Sequence, residues 1–201
     1  MKIWNKLTLT LLISTTTISL ALARETKKNT TDYQVEFAQL ESSTHGRLGI
    51  MAINTANNQL LEYRSYELFP FCSTGKVMVV GAILKASESN PELMQRQLHY
   101  TKQDIESSGY APITGKHIAD GMSVDALSKA AIAYSDNGAM NQLLQILGGP
   151  QVVTSYARSL GDNKFNLVRT EPQLNTAIPN DVRDTTTPAA MAYSLQKLSL
   201  G

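Results

Sequence analysis

The sequence predicts a mixed fold in which an all-α helical domain lies beside an α/β domain with an antiparallel sheet. Three observations support this prediction. Residues 46–53 and 60–71 have the composition of strands and are separated by a turn-forming run at residues 54–58. From Ser73 onward, apolar residues recur with helical spacing. Residues 166–184 contain two prolines and have no clear period, which predicts a long loop.

The elements can be justified in chain order. Residues 32–41 carry apolar side chains at helical spacing, and Thr31 or Asp32 is expected to cap that helix. The two predicted strands form a hairpin that is marginal alone, so more strands must come from elsewhere, and none is evident later in the chain. Helices are predicted at residues 77–87, 91–98, 124–134, 138–147, 151–160 and 188–198, the last after a cap region of three threonines.

The N-terminus resembles an export signal. Met1–Ala23 has two lysines, no acidic residue, an apolar run at residues 7–20, and Ala-Leu-Ala before Arg24. This pattern predicts a cleaved secretory signal peptide and a periplasmic, secreted protein. No later segment has the ~18 to 20 apolar residues of a membrane span, so we expect no membrane contact after cleavage.

The composition argues against several classes of partner. Without Lys2 and Lys6, the 18 basic residues fall to 16, against 17 acidic residues, and no basic face is evident. Nucleic acid is therefore not an expected partner. The three histidines are far apart in sequence, so we predict no metal site and no cofactor. The single cysteine, Cys72, is either a small buried hydrophobe or a reactive or bridged thiol.

The pattern Ser-x-x-Lys at residues 73–76 suggests covalent acyl transfer. A lysine three residues after a serine lies on the same helical face, close enough to accept or steer the hydroxyl proton. Burial of Lys76 in its apolar helix would make a neutral amine available as a base. Equally simple roles are a serine that only caps the helix and a lysine that is solvated.

Two later motifs add candidate groups. Ser135-Asp136-Asn137 lies between two predicted helices, and Asp136 is expected mainly to cap the second one. Glu171 and Asn175 are four residues apart and could hold one water between a carboxylate and a carboxamide. The carboxylate would then act as the general base toward that water.

The order of these motifs resembles that in the class A serine β-lactamases. The resemblance runs from about Tyr33 to the last residue, and the segments around residues 72–78 and 169–179 are most similar to the extended-spectrum cefotaximase branch. It implies two domains with the active site between them, namely residues 72–201 as the helical domain and residues 24–71 as the start of the α/β domain. It also implies a monomer whose substrate is a small-molecule β-lactam.

The resemblance implies a role for each site residue. Ser73 is the nucleophile and part of the oxyanion hole, Ser135 relays a proton to the leaving nitrogen, and Asn137 holds Lys76 and the substrate amide. Whether Lys76 or Glu171 takes the acylation proton is left open. The remaining assignments are Tyr110 at the mouth of the cleft, Asn175 at the hydrolytic water, and Arg169 with Asp184 as the clamp of the loop.

One motif of the family is absent from the sequence. The Lys-Thr-Gly triplet on a late strand would fall several tens of residues beyond Gly201, as would the second oxyanion donor. The sequence therefore predicts an incomplete α/β domain and a polypeptide without β-lactamase activity, either an inactive remnant or a partial sequence. The motifs also leave open a transpeptidase or a β-lactam sensor, and Glu171 argues against both.

Overall fold

The computed structural model describes residues 30–201, and the predicted signal peptide lies outside them. The helices in this range are α1 Thr30–Thr44, α2 Lys76–Ser89, α3 Lys102–Glu106, α4 Val124–Tyr134, α5 Asn137–Leu147, α6 Pro150–Ser159 and α7 Pro188–Leu200. The strands are β1 Ile50–Asn54, β2 Gln59–Tyr63, β3 Phe69–Pro70, β4 Gln97–Leu98, β5 Met122–Ser123 and β6 Thr185–Thr186. The predicted mixture of helices and strands is confirmed.

All strands in the described range pair antiparallel, two by two. β1 pairs with β2 from Ile50 opposite Tyr63 to Asn54 opposite Gln59. The turn between them is at the predicted residues 54–58, where Asn58 is left-handed with φ 57°. β3 pairs with β6, and β4 pairs with β5. The first of these short pairs ties the segment before Ser73 to the end of the long loop.

The core surrounds α2. Its buried face includes Met78, Val79 and Ile83, which are fully enclosed, and the helix packs against α4, α5 and α6. Within residues 30–201, the buried apolar cluster begins at Phe71 and includes no residue before it. The side chain of Phe71 stacks on Phe165 with a centroid distance of 4.6 Å. The segment that enters α2 is therefore fixed by the core itself.

Several helix boundaries follow from capping. α4 has the predicted bounds, and the Ser123 hydroxyl accepts a hydrogen bond from the Ala126 N–H at 3.1 Å. α7 begins after Thr187, whose hydroxyl accepts from the Ala190 N–H at 3.1 Å. The predicted threonine cap is thus confirmed. No helix within residues 30–201 is both long and apolar enough to cross a membrane.

The predicted helix at residues 91–98 is wrong. The segment forms a 3₁₀ turn, Leu93–Gln95, followed by β4. The Val124 N–H donates to the Arg96 carbonyl at 3.1 Å, which continues the pairing of β4 with β5. Pairing with a distant strand therefore overrides the local helical pattern.

The predicted single strand at residues 60–71 is also wrong. It breaks at Arg64, which is left-handed with φ 44°, and resumes only at β3. The Glu67 N–H donates to the Arg64 carbonyl at 3.1 Å, and the Arg64 guanidinium contacts Glu41 and Glu67. This side-chain network stabilises the turn in place of a continuous strand.

The remaining differences are at the N-terminal end and in α3. α1 starts at Thr30, two residues before the predicted helix, and includes Thr31 and Asp32. β1 starts at Ile50, four residues later than predicted. The short α3 was not predicted, although Thr101 and Asp104 form a reciprocal capping box at its start.

Glu41 connects α1 to the hairpin. Its carboxylate accepts hydrogen bonds from the Leu48 N–H, the Tyr63 hydroxyl and the Arg64 guanidinium, each at 2.9 Å. These bonds, above all those from Arg64, lower the pKa of the Glu41 carboxyl to about 2. The ionised form is therefore favoured by folding.

Glu41→Gln is expected to lower the thermal unfolding midpoint by a few degrees at neutral pH. Because the folded pKa lies below its ordinary value, this stabilisation is present above pH 4.5 and is lost as the pH falls toward about 2. Circular dichroism melts across this pH range should show that the unfolding midpoints of the unsubstituted protein and of Glu41→Gln approach each other as the pH falls. Glu106→Gln, in an exposed pair with Lys102, is the control. A difference that does not change with pH would contradict the assignment.

Candidate active site

Ser73 lies in a 3₁₀ turn, Cys72–Gly75, that leads directly into α2. Its side chain is exposed and caps neither the turn nor the helix. Instead, its hydroxyl oxygen accepts a hydrogen bond from Lys76 Nζ at 2.8 Å. Gly75 is required beside it, since a Cβ there would meet the Phe71 ring at 2.7 Å. The interpretation of Ser73 as a helix cap is therefore wrong.

Lys76 contacts the side chains of four other residues of the site. The side chain is 2% exposed, and Nζ contacts Ser73 Oγ, Asn137 Oδ1 and Glu171 Oε1 at 2.8 Å each. Ser135 Oγ is a fourth neighbour at 3.3 Å. An ammonium has three hydrogens, so the longest of the four contacts is the weakest. The lysine is buried rather than solvated, and its surroundings are polar where the sequence predicted an apolar face.

Glu171 completes an ion pair inside the protein. Its carboxylate is fully buried, with Oε1 on Lys76 Nζ and Oε2 accepting from Asn175 Nδ2 at 2.5 Å. The Asn175 amide also donates to the Pro172 carbonyl at 3.2 Å. The two buried charges compensate each other, which satisfies the requirement that buried ions be paired.

Asn141 holds the backbone of Glu171 and was not predicted from the sequence. Its Oδ1 accepts from the Glu171 N–H at 3.0 Å, and its Nδ2 donates to the Glu171 carbonyl at 2.9 Å. It follows Asn137 by one turn of α5 and therefore lies on the same helical face. That four-residue repeat of asparagine was the signal available in the sequence.

Asp136 joins the S-D-N segment to a neighbouring loop. It caps α5, since Oδ1 accepts from the Ala139 N–H at 2.8 Å, and this prediction is confirmed. It also accepts from the Thr114 hydroxyl and from the backbone N–H groups of Ile113 and Thr114, at 2.8 to 2.9 Å. The carboxylate is fully buried and satisfied on both oxygens.

The residues on either side of Asp136 both contact Lys76 Nζ, Ser135 through its hydroxyl and Asn137 through Oδ1. Ser135 is the left-handed C-cap of α4, with φ 54°, and its hydroxyl approaches Lys76. Asn137 Nδ2 donates to the Ser108 carbonyl at 3.0 Å, and its backbone N–H donates to the Tyr110 carbonyl at 2.8 Å. The Tyr110 side chain is 62% exposed next to this segment. All three lie at one end of the helical core.

The long loop is closed at its two ends by a partly buried ion pair. Asp184 is fully buried, and its carboxylate accepts from the Arg169 side chain at 2.5 Å and from the Val168 N–H at 2.8 Å. Arg169 also donates to the Thr176 hydroxyl at 2.7 Å. The structure therefore places the predicted clamp residues in contact.

Cys72 precedes the exposed serine and has no disulfide partner among the described residues. Burial raises the pKa of its thiol, and the negative charge of Glu171 adds to this effect. Within residues 30–201, no group of three or more His, Cys, Asp and Glu side chains is arranged to hold a metal ion.

Comparison with known proteins identifies the family. A model described as the β-lactamase enzyme family matches residues 33–201. β-Lactamase OXY-1 of Klebsiella oxytoca is 49% identical over 98% of this chain, which covers 67% of that protein. β-Lactamase Toho-1 of Escherichia coli is also 49% identical, over 96% of this chain and 63% of its own length. The sequence identity to OXY-1 is therefore the same as that to Toho-1.

Solved structures agree with these relatives. A β-lactamase from Desulfarculus baarsii superposes with a TM-score of 0.84 at 49% identity, covering 87% of this chain and 64% of that chain. The last common ancestor of Gram-negative class A β-lactamases superposes with a TM-score of 0.81 at 47% identity. That match covers 84% of this chain and 64% of the ancestor's chain. The chain thus spans roughly two thirds or less of the length of most of these relatives. The chain belongs to the β-lactamase enzyme family, in class A.

Proposed function

We propose that the protein hydrolyses β-lactam antibiotics through a covalent acyl-enzyme on Ser73. The observation that carries this proposal is the position of Lys76 Nζ, which is 2.8 Å from both Ser73 Oγ and Glu171 Oε1. A nucleophile and two groups able to move its proton are therefore in hydrogen-bond contact before any substrate binds.

In the acylation step, Ser73 Oγ attacks the lactam carbonyl carbon and loses its proton toward Lys76 or Glu171. The bond from the carbonyl carbon to the ring nitrogen then breaks, and the nitrogen takes a proton. Ser135 is suited to deliver that proton because its hydroxyl faces Lys76 Nζ at 3.3 Å. The product is an ester on Ser73, with the ring opened.

In the deacylation step, a water attacks the carbonyl carbon of that ester, the bond from this carbon to Ser73 Oγ breaks, and Oγ takes back a proton. Glu171 is the proposed base, and Asn175, in contact with Glu171 Oε2, would orient the water. Asn137 is proposed to bind the amide of the substrate side chain, and exposed Tyr110 to line the mouth of the cleft. The pair of Arg169 and Asp184 keeps the loop closed, so its value is positional.

Export to the periplasm and a monomeric state are part of the same proposal. The signal-like pattern of Met1–Ala23 supports export, although that segment lies outside the described residues. The substrate would then meet the enzyme before it reaches the cell-wall synthesis machinery. No cofactor is invoked, because each proton transfer has a side chain assigned to it.

Ser73 should carry the drug after incubation with a slowly hydrolysed β-lactam. Intact and peptide mass spectrometry are expected to find the added mass of the drug on the peptide containing Ser73. The measurement is made on this chain and on a chimera extended with the C-terminal part of OXY-1, because the chain covers 67% of that protein.

Ser73→Ala should abolish the label, whereas Ser89→Ala, at the C-terminal end of α2, should retain it. Label that persists in the Ser73 variant would contradict the nucleophile. Absence of label in the unsubstituted chimera would contradict the acyl-enzyme proposal as a whole.

Glu171→Gln should slow deacylation more than acylation, because it removes the base for water and leaves Ser73 intact. The expected loss in deacylation rate is on the order of 10² to 10⁴. Stopped-flow kinetics with a chromogenic cephalosporin should show a burst followed by a slow phase. Glu92→Gln, an exposed carboxylate, is the control. Equal losses in both steps would show that Glu171 serves acylation as well.

A further inference from the structure

A groove separate from the active site lies between α7, the turn after α6, and Tyr66. We call it the α7 groove, defined by Tyr66, Leu160, Lys164, Ala190, Tyr193 and Lys197. Its volume of about 370 Å³ is within the range of small-molecule sites. None of the residues assigned above to the reaction lines it.

Two ammonium groups line this groove without carboxylate partners. Lys164 and Lys197 are both exposed, and neither side chain makes an ion pair or hydrogen bond with any residue in the described range. Lys197 Nζ lies over the turn, because a Cβ built on Gly161 would be 3.6 Å from it. Two lysines without an ion-pair partner in the described range therefore line a cavity that contains one carboxylate, that of Asp162.

Asp162, which also lines the groove, forms no ion pair with either lysine. Asp162 is buried, and its Oδ1 accepts from the N–H groups of Lys164 and Phe165 at 2.8 Å. Its Oδ2 accepts from the Ser194 hydroxyl at 3.1 Å. The hydrogen bonds of this carboxylate therefore go to the turn and to α7, and both ammonium groups remain without an ion-pair partner in the described range.

The walls of the groove are apolar and aromatic. Tyr66 is 69% exposed and Tyr193 is 43% exposed, while Ala189 between the two sides is buried. Exposed aromatic faces beside cationic side chains suit a ligand with a flat ring and one negative charge. The positive charges of the two lysines therefore favour a negatively charged ligand over a neutral one.

We propose that the α7 groove binds a small aromatic carboxylate. The ring packs against Tyr66 and Tyr193, and the carboxylate lies on Lys164 and Lys197. The site is independent of the proposed hydrolysis, since its ligand would bind without contact to Ser73 or Lys76.

The probe for this proposal is naphthalene-2-carboxylate, compared with the neutral naphthalene-2-methanol. Saturation-transfer NMR and isothermal titration on the full chain should show weaker binding of the neutral probe. Binding of the carboxylate should also weaken at high salt, since exposed charges are screened. Equal affinity for the two probes, or no binding of the carboxylate, would overturn the proposal.

Substitution separates this site from general apolar binding. The double variant Lys164→Gln with Lys197→Gln should bind the carboxylate about fivefold more weakly, given the modest free energy of exposed ion pairs. Lys129→Gln, an exposed lysine on α4, should leave the affinity unchanged. Unaltered affinity of the double variant for the carboxylate would refute the assignment of the two lysines. The salt dependence of binding tests the same charges without any substitution.

Discussion

The ion pair between Lys76 and Glu171 is the constraint on which the rest of the structure depends. Both side chains are buried, and removing one partner from such a pair typically costs about 3 to 5 kcal/mol because the other charge is left uncompensated. The pair joins residues 95 positions apart in the chain. A central helix and an irregular loop must therefore be held at a fixed distance.

The polar anchors around this pair meet that requirement. Asn141 fixes the backbone of Glu171 from α5, and Asp184 closes the loop onto Arg169. Asp136 binds the segment at residues 113–114 to the start of α5. Asp136 and Asp184 are fully buried and Asn141 is partly buried, and their hydrogen bonds order the loop, whose own regular structure is limited to the short 3₁₀ turn Gln173–Thr176. Several short hydrogen bonds, rather than one regular element, therefore hold the site residues in place.

Elements whose conformation depends on neighbouring residues were predicted from the sequence, and elements that depend on pairing with a distant strand were not. α4 was placed correctly because apolar periodicity and the Ser123 cap agree within one segment. Residues 91–98 were placed wrongly because their conformation is decided by pairing with β5, which no local pattern reports. The pairing partners of β3 and β4, two residues long each, were invisible for the same reason.

In the candidate active site, too, the local motifs were predicted and the long-range contacts were not. The motif residues were identifiable because their spacing is informative, whereas the hydrogen bonds of Asn141 go to a backbone 30 positions away. The contact of Lys76 with Glu171 likewise joins two motifs that are far apart in the chain. A polar environment around the lysine could be predicted only by combining them.

Cys72 and Ser73 place two nucleophilic elements, sulfur and oxygen, at consecutive positions. Thiols are intrinsically the better nucleophile, but only as thiolates, and the raised pKa of Cys72 keeps its sulfur protonated at neutral pH. Burial is the main cause of that raised pKa and the negative charge of Glu171 is the second, and the same carboxylate contacts Lys76 Nζ, which donates to the Ser73 hydroxyl. On the mechanism proposed above, the burial of Cys72 and the charge of Glu171 together disfavour a thioester at the position next to the serine.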